Sequence, residues 1–156
     1  VLVVFLLVAI LALAAAGGLT VWTRRGRSLR RVIDAPDTAA SRIINGDVMS
    51  RHLMTSGSLG RLEFHDWGIR IHGIVISRWV VPTWEARYEE LAVAELVASH
   101  WSRYAVWFKL RDQAGEIGFL THFSDEMLRR LEDHDVPVNR SVVKFRQISE
   151  LYDSRK

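Results

Sequence analysis

Gly60-Arg61-Leu62-Glu63-Phe64-His65-Asp66-Trp67-Gly68-Ile69-Arg70-Ile71-His72 is the stretch whose pattern decides the fold. Leu62 and Phe64 alternate with Arg61, Glu63 and His65, and Ile69 and Ile71 alternate with Arg70 and His72. A period of two belongs to a strand, and two such runs joined across His65-Asp66-Trp67-Gly68 form a hairpin with one apolar and one wet face. The chain around this hairpin should therefore be sheet-forming.

Downstream, the apolar and β-branched residues continue. The run 74–81 reads as a further strand stopped by Pro82. The segment 92–98 is helical by composition, but its context favours a strand. In 104–111, Ala105, Trp107 and Lys109 fall on one side and Val106, Phe108 and Leu110 on the other. After a turn at 112–116, the segment 117–123 pairs back as a hairpin partner. A helix follows. Ser124 reads as its N-cap, Asp125 and Glu126 suit its positive end, and Met127, Leu128 and Leu131 form an apolar stripe that ends near His134. Val136-Pro137-Val138 stops that helix, and the tail 141–156 carries Val142, Phe145, Ile148, Leu151 and Tyr152 at helical intervals.

Upstream, Arg42-Ile43-Ile44-Asn45-Gly46-Asp47 contains a turn dipeptide and reads as a short hairpin or the start of the first strand. Pro36 breaks any helix running through 32–41. Before that comes a long apolar segment. Residues 1–22 carry no charge, and Thr23 is followed by Arg24, Arg25, Arg27, Arg30 and Arg31. A helix over 1–22 is about 33 Å long, enough to cross a hydrocarbon core of about 30 Å. A cleaved signal peptide ending at Ala14-Ala15-Ala16, or a buried helix, are the competing readings; the length favours a retained anchor. The arginines then hold the following chain on the cytoplasmic side, with the N-terminus outside, and supply contacts to the membrane surface. The expected organisation is a transmembrane helix over 1–23, a basic juxtamembrane segment and linker over 24–57, a sheet domain over 58–140 with a helix at 124–134, and a tail over 141–156.

Charge narrows the partners. The chain has 21 Lys and Arg against 18 Asp and Glu. All the acidic residues lie beyond Arg31, so setting aside the five arginines at 24–31 leaves 16 basic against 18 acidic residues. A near-neutral remainder without a basic stripe is a poor nucleic-acid binder. Eighteen arginines against three lysines, with abundant Ala and Val, point to a GC-rich bacterial genome. The chain has no cysteine, which fits a reducing or an oxidising compartment.

Sites for chemistry are sparse. The histidines (His52, His65, His72, His100, His122, His134) show no metal-ligand spacing, and no cysteine supplements them. Ser56-Gly57-Ser58-Leu59-Gly60 lacks the Gly-x-Ser-x-Gly spacing of a nucleophile elbow. No phosphate-binding Gly loop is present. No catalytic residue, cofactor, metal or small-molecule substrate is therefore expected. The tryptophans carry more information: Trp79 and Trp107 read as core, while Trp67, Trp84 and Trp101 are candidates for contact with a partner.

Gly60-x-Leu62, the second strand Gly68-Ile69-Arg70-Ile71, Trp84-Glu85-x-x-Tyr88-Glu89-Glu90-Leu91 and the helix from Ser124 with Val136-Pro137-Val138 together resemble the bacterial pleckstrin-homology-like (PH-like) domains, over about residues 58–138. The resemblance implies a seven-stranded, strongly bent antiparallel barrel closed by a C-terminal helix, here behind a transmembrane anchor. It also implies docking to proteins or lipid headgroups. The first hairpin turn argues against phosphoinositide: Asp66 and Glu63 stand where phosphate would sit, leaving Arg61 and Arg70 as donors. The expected function is a non-catalytic, membrane-tethered interaction or scaffold module on the cytoplasmic face of the plasma membrane, with a protein partner or self-association. The alternative is a peripheral domain contacting lipid headgroups through the juxtamembrane arginines and an exposed tryptophan.

Overall fold

The computed structural model describes residues 30–50, 55, 57–75, 77–79, 81–98, 104–112 and 116–144. Eight strands form a single sheet: β1 (Arg42–Met49), β2 (Gly60–His65), β3 (Gly68–Gly73), β4 (Trp84–Arg87), β5 (Leu91–Ala98), β6 (Tyr104–Leu110), β7 (Ile117–Thr121) and β8 (Val138–Lys144). One helix, α1 (Ser124–Glu132), follows β7, and a 3-10 turn, Tyr88–Glu90, joins β4 to β5. The strand order is β4-β3-β2-β1-β7-β6-β5-β8.

The β2–β3 hairpin forms as its alternation dictates, with Leu62 opposite Ile71 and Phe64 opposite Ile69 across the Asp66-Trp67 turn. β1 is the strand shared by the two halves. Its first part, Arg42 to Gly46, pairs with β2, and its second part, Asp47 to Met49, pairs with β7. The Asn45-Gly46 pair therefore makes no hairpin. Gly46 lies where the partner changes, and a Cβ there would run into the Leu120 carbonyl and the Phe119 ring. Close backbone approach, not a tight turn, is what this glycine provides.

The inner face of the sheet and α1 share the main core, which includes Ile44, Leu62, Phe64, Ile71, Trp84, Phe108, Phe119, Met127, Leu128 and Leu131. The stripe expected on the helix is the face that is buried. Phe123 occupies the N-cap position without a side-chain bond, and Ser124 is the first helical residue instead of the cap. The helix stops at Glu132. Asp135 takes a left-handed backbone (φ 59), and the Val136 N–H returns to the Leu131 carbonyl at 3.0 Å.

Several expectations are corrected. The sheet is open: β4 and β8 stand at opposite ends of the strand order, so no barrel closes. Among the described residues no helix is long and apolar enough to cross a membrane. The membrane-anchored architecture and the single-pass placement in a plasma membrane are therefore not supported by the described residues. The 1–23 stretch on which both rested lies outside the described residues. The 24–57 segment expected as a linker contains β1. The run 74–81 holds turns at 75 and 77–79, because the Ser77 hydroxyl donates to the Leu59 carbonyl (2.6 Å) and the Val81 N–H to the Ser77 carbonyl (2.8 Å). The start of the tail is strand, not helix: β8 lies parallel to β5, with Ala94 opposite Val138 and Val97 opposite Val143. Residues 145–156 lie outside the described part.

Candidate functional site

The alternation that buries Leu62, Phe64, Ile69 and Ile71 sends their neighbours to the outer face of the same strands. Register then sets who meets whom: Arg61 stands opposite His72, Glu63 opposite Arg70, and Arg70 opposite Glu85. These residues, with Arg78 from the β3–β4 connection, line a cleft of about 420 Å³ that Gly73 and Thr83 complete.

The floor of the cleft is an ion-pair row. Arg70 donates from Nε to Glu85 Oε1 at 2.6 Å and reaches Glu63 Oε2 from Nη1 at 3.8 Å. Glu85 is only 4% exposed, and its second oxygen accepts the Ile33 N–H at 3.0 Å. A buried carboxylate needs partners of this kind to stay charged. Glu63 is the hub of the row. His72 Nε2 lies 3.0 Å from its Oε1 and His65 Nε2 lies 3.3 Å from its Oε2. Burial pushes the Glu63 carboxyl up, but the hydrogen bonds and charges of His72 and His65 outweigh it and hold the group below the usual carboxylate range. Both rings are fixed from behind, His65 through Nδ1 to the Thr38 carbonyl (3.0 Å) and His72 through Nδ1 to the Gly73 carbonyl (2.8 Å). Trp67 stacks on His65 with centroids 5.0 Å apart, and the Arg70 guanidinium stands 5.8 Å above the Trp67 ring.

Two cations are left over. Arg61 and Arg78 have no carboxylate partner among the described residues, and the Arg61 Nε is buried without an acceptor. A buried N–H without a partner is uncommon in folded proteins. The cleft thus holds an internally neutralised row flanked by spare positive charge. Glu63, a carboxyl held low and already surrounded by donors, is a weak base near neutral pH. Among the described residues no group of three His, Cys, Asp or Glu is placed to hold a metal ion.

The residues singled out from sequence fall elsewhere. Arg24, Arg25, Arg27 and Trp101 lie outside the described residues. Arg30 is exposed. Arg31 is clamped to the sheet: its guanidinium grips Glu90 through both Nη atoms (2.7 and 3.2 Å) and donates to the Glu85 carbonyl, while its backbone bridges β4 beside Trp84. Trp84 is 1% exposed in the core, so its ring offers nothing to a partner. Trp67 is half-buried against His65. Trp79, expected in the core, is 60% exposed, whereas Trp107 is buried as expected.

Glu85, His72 and Arg78 were not legible as site members. The signal for His72 was present: a two-residue turn at Asp66-Trp67 sets it opposite Arg61. Glu85 and Arg78 join the site only through the path of 74–83, which the sequence pattern misread. The chain matches no protein-family model, and a search of curated proteins finds no match.

Proposed function

We propose that the chain is a non-catalytic interaction module that docks a partner on the outer face of β2–β3–β4. The observation that carries this reading is the cleft itself, a prearranged polar surface whose own carboxylates are neutralised and whose Arg61 and Arg78 are not. Side chains held by several bonds, as Glu63 and Glu85 are, lose little freedom on binding, which favours recognition. The resemblance to PH-like domains belongs to the same reading. Seven strands paired antiparallel in the order β4-β3-β2-β1-β7-β6-β5 and followed by α1 support it. The docking role implied by that resemblance is consistent with a binding face and needs no catalytic group.

A photocrosslinker placed at Arg78 (Arg78→p-benzoylphenylalanine) in the full-length protein in its native cells tests the reading. It is expected to give a discrete adduct. The same group at Asp125, on α1 behind the sheet, is expected to give none. Equal adducts from both positions, or none from Arg78, would count against docking on this face.

A further inference from the structure

We infer that the group seated in the β2–β3–β4 cleft is a carboxylate, presented by an acidic side chain of a protein partner; this rests on the docking reading above. Three observations lead there. First, among the lining residues Arg61, Arg70 and Arg78 face Glu63 and Glu85, so the cleft carries one surplus positive charge before His72 is counted. That surplus favours an anion. A phosphate dianion would set two negative charges beside the two fixed carboxylates where a carboxylate sets one, a repulsion that a partly desolvated wall strengthens.

Second, the spare groups are guanidiniums, whose planar fork of N–H donors fits a carboxylate with two parallel bonds. Arg61 lines the cleft with no carboxylate partner among the described residues, so an incoming carboxylate would meet an unpaired guanidinium whose Nε–H, beneath the surface and without an acceptor, reports on the contact. Arg78 is exposed and free to close over the bound group from the β3–β4 connection. Third, the cleft has no apolar side chain in its lining among the described residues and sits within the usual size range of small binding sites, about 300–1,000 Å³. An apolar anchor would find no complementary wall, whereas a charged tip with a polar neighbour does. Arg70 is not free to take part, because Glu85 already holds it at 2.6 Å.

The test is a nuclear magnetic resonance titration of the full-length protein, following the arginine Nε–H signals. The probes are the tripeptide acetyl-Glu-Glu-Glu-amide, its all-Gln counterpart, and inorganic phosphate. The Glu peptide is expected to shift the Arg61 Nε–H signal, and Arg61→Gln or Arg78→Gln is expected to weaken its binding roughly tenfold, the loss of one charge-assisted contact. The Gln peptide should produce no shift. Arg78 is exposed, so Arg78→Gln keeps the test meaningful if Arg61→Gln lowers stability. Equal binding of the Gln peptide would overturn the carboxylate while leaving docking on this face intact. Phosphate binding more tightly than the Glu peptide would overturn it too, as would affinity untouched by either substitution or an absence of shift with all three probes. The crosslinking result at Arg78 decides the docking reading separately.

Discussion

The two halves of the sheet share one inner core but present opposite chemistry on their outer faces. Outside β2–β3–β4 lie Glu63, His65, Arg70, His72 and Glu85, joined by ion pairs and ring stacking, with Arg61 unpaired beside them. Outside the second part of β1 with β5, β6 and β7 lie Met49, Val97, Ala105, Trp107 and Leu120, none more than 5% exposed. An antiparallel sheet with one wet face shows clean alternation, and a sheet buried on both faces does not. In this chain a single strand, β1, passes from one regime to the other at Gly46. The difference separates a face held by a network of directional contacts from a face held mainly by burial, with the Trp107–Glu116 hydrogen bond (3.0 Å) and the Lys109–Glu95 pair (2.7 Å) beside it.

The sharpest way to break that comparison is to truncate a tryptophan on each side. Trp107→Ala, on the outer face of β6, is expected to cost about 3–5 kcal/mol, as much as Trp84→Ala in the main core. Its ring lies directly over the bare Cα of Gly118 and donates from Nε1 to Glu116 at 3.0 Å, so truncation loses both packing and a bond. Urea denaturation of both variants measures the two costs. A cost for Trp107→Ala below about 1 kcal/mol would mean that the apolar outer face is not a second core.

Breaking the charged face should cost less. Arg70→Met leaves Glu85 buried without its cation, and about 2 kcal/mol is expected. The figure is below that for a fully buried pair because the Arg70 side chain stays 26% exposed. Adding Glu85→Met should recover most of the loss, since two apolar side chains leave no orphaned charge. If the double variant is no better than Arg70→Met, the Ile33 N–H that Glu85 accepts carries more than the ion pair does.

Much of this was readable from the alternation. The β2–β3 hairpin follows from apolar residues every second position, and so do the two faces of β6, with Val106, Phe108 and Leu110 in one cluster and Ala105 and Trp107 in the other. The helix stripe of Met127, Leu128 and Leu131 was equally plain. What escaped depends on contacts far apart in the chain. Asn45-Gly46 reads as a turn until Leu120 and Phe119 are placed against it. The residues after Val138 pair with β5, about forty positions earlier, which no local period encodes. The site was half legible. Glu63, Arg61 and Arg70 stood out on the wet face, but Trp84 beside Pro82 read as a partner contact, and Arg31 read as a membrane-surface contact because its partner Glu90 lies 59 positions away.

Arg31 supplies the next sharpening. Its backbone bonds to Thr83 and Glu85 cover the outer edge of β4, a row that would otherwise stand open. Burial pushes the Glu90 carboxyl up, but the Arg31 guanidinium and the Arg87 N–H outweigh it and hold the group low. Arg31→Gln is expected to cost about 1 kcal/mol, because the pair is only partly buried. Hydrogen exchange should show faster loss of protection in β4 with β6 unchanged. Protection lost evenly across both strands would instead make the clamp part of the global unfolding unit.

The smallest expected effect separates the two faces by pH. Glu63 is held below its ordinary range in the folded protein, so the unfolded chain takes up the proton first as pH falls. Its contribution is therefore complete above the ordinary carboxylate range and is lost as pH drops through the lower folded value, below about pH 5. His72 and His65 are the neighbours whose hydrogen bonds and charge interactions keep it low against the effect of burial. The stability difference between the wild type and Glu63→Gln should shrink on acidification, measured by urea midpoints at a series of pH values. Leu120→Ala changes no titrating group, so its difference from the wild type should stay flat over the same series. A flat Glu63→Gln difference would show that the histidines do not hold this carboxylate ionised in solution, and the contrast between a charged face and an apolar one would then rest on packing alone.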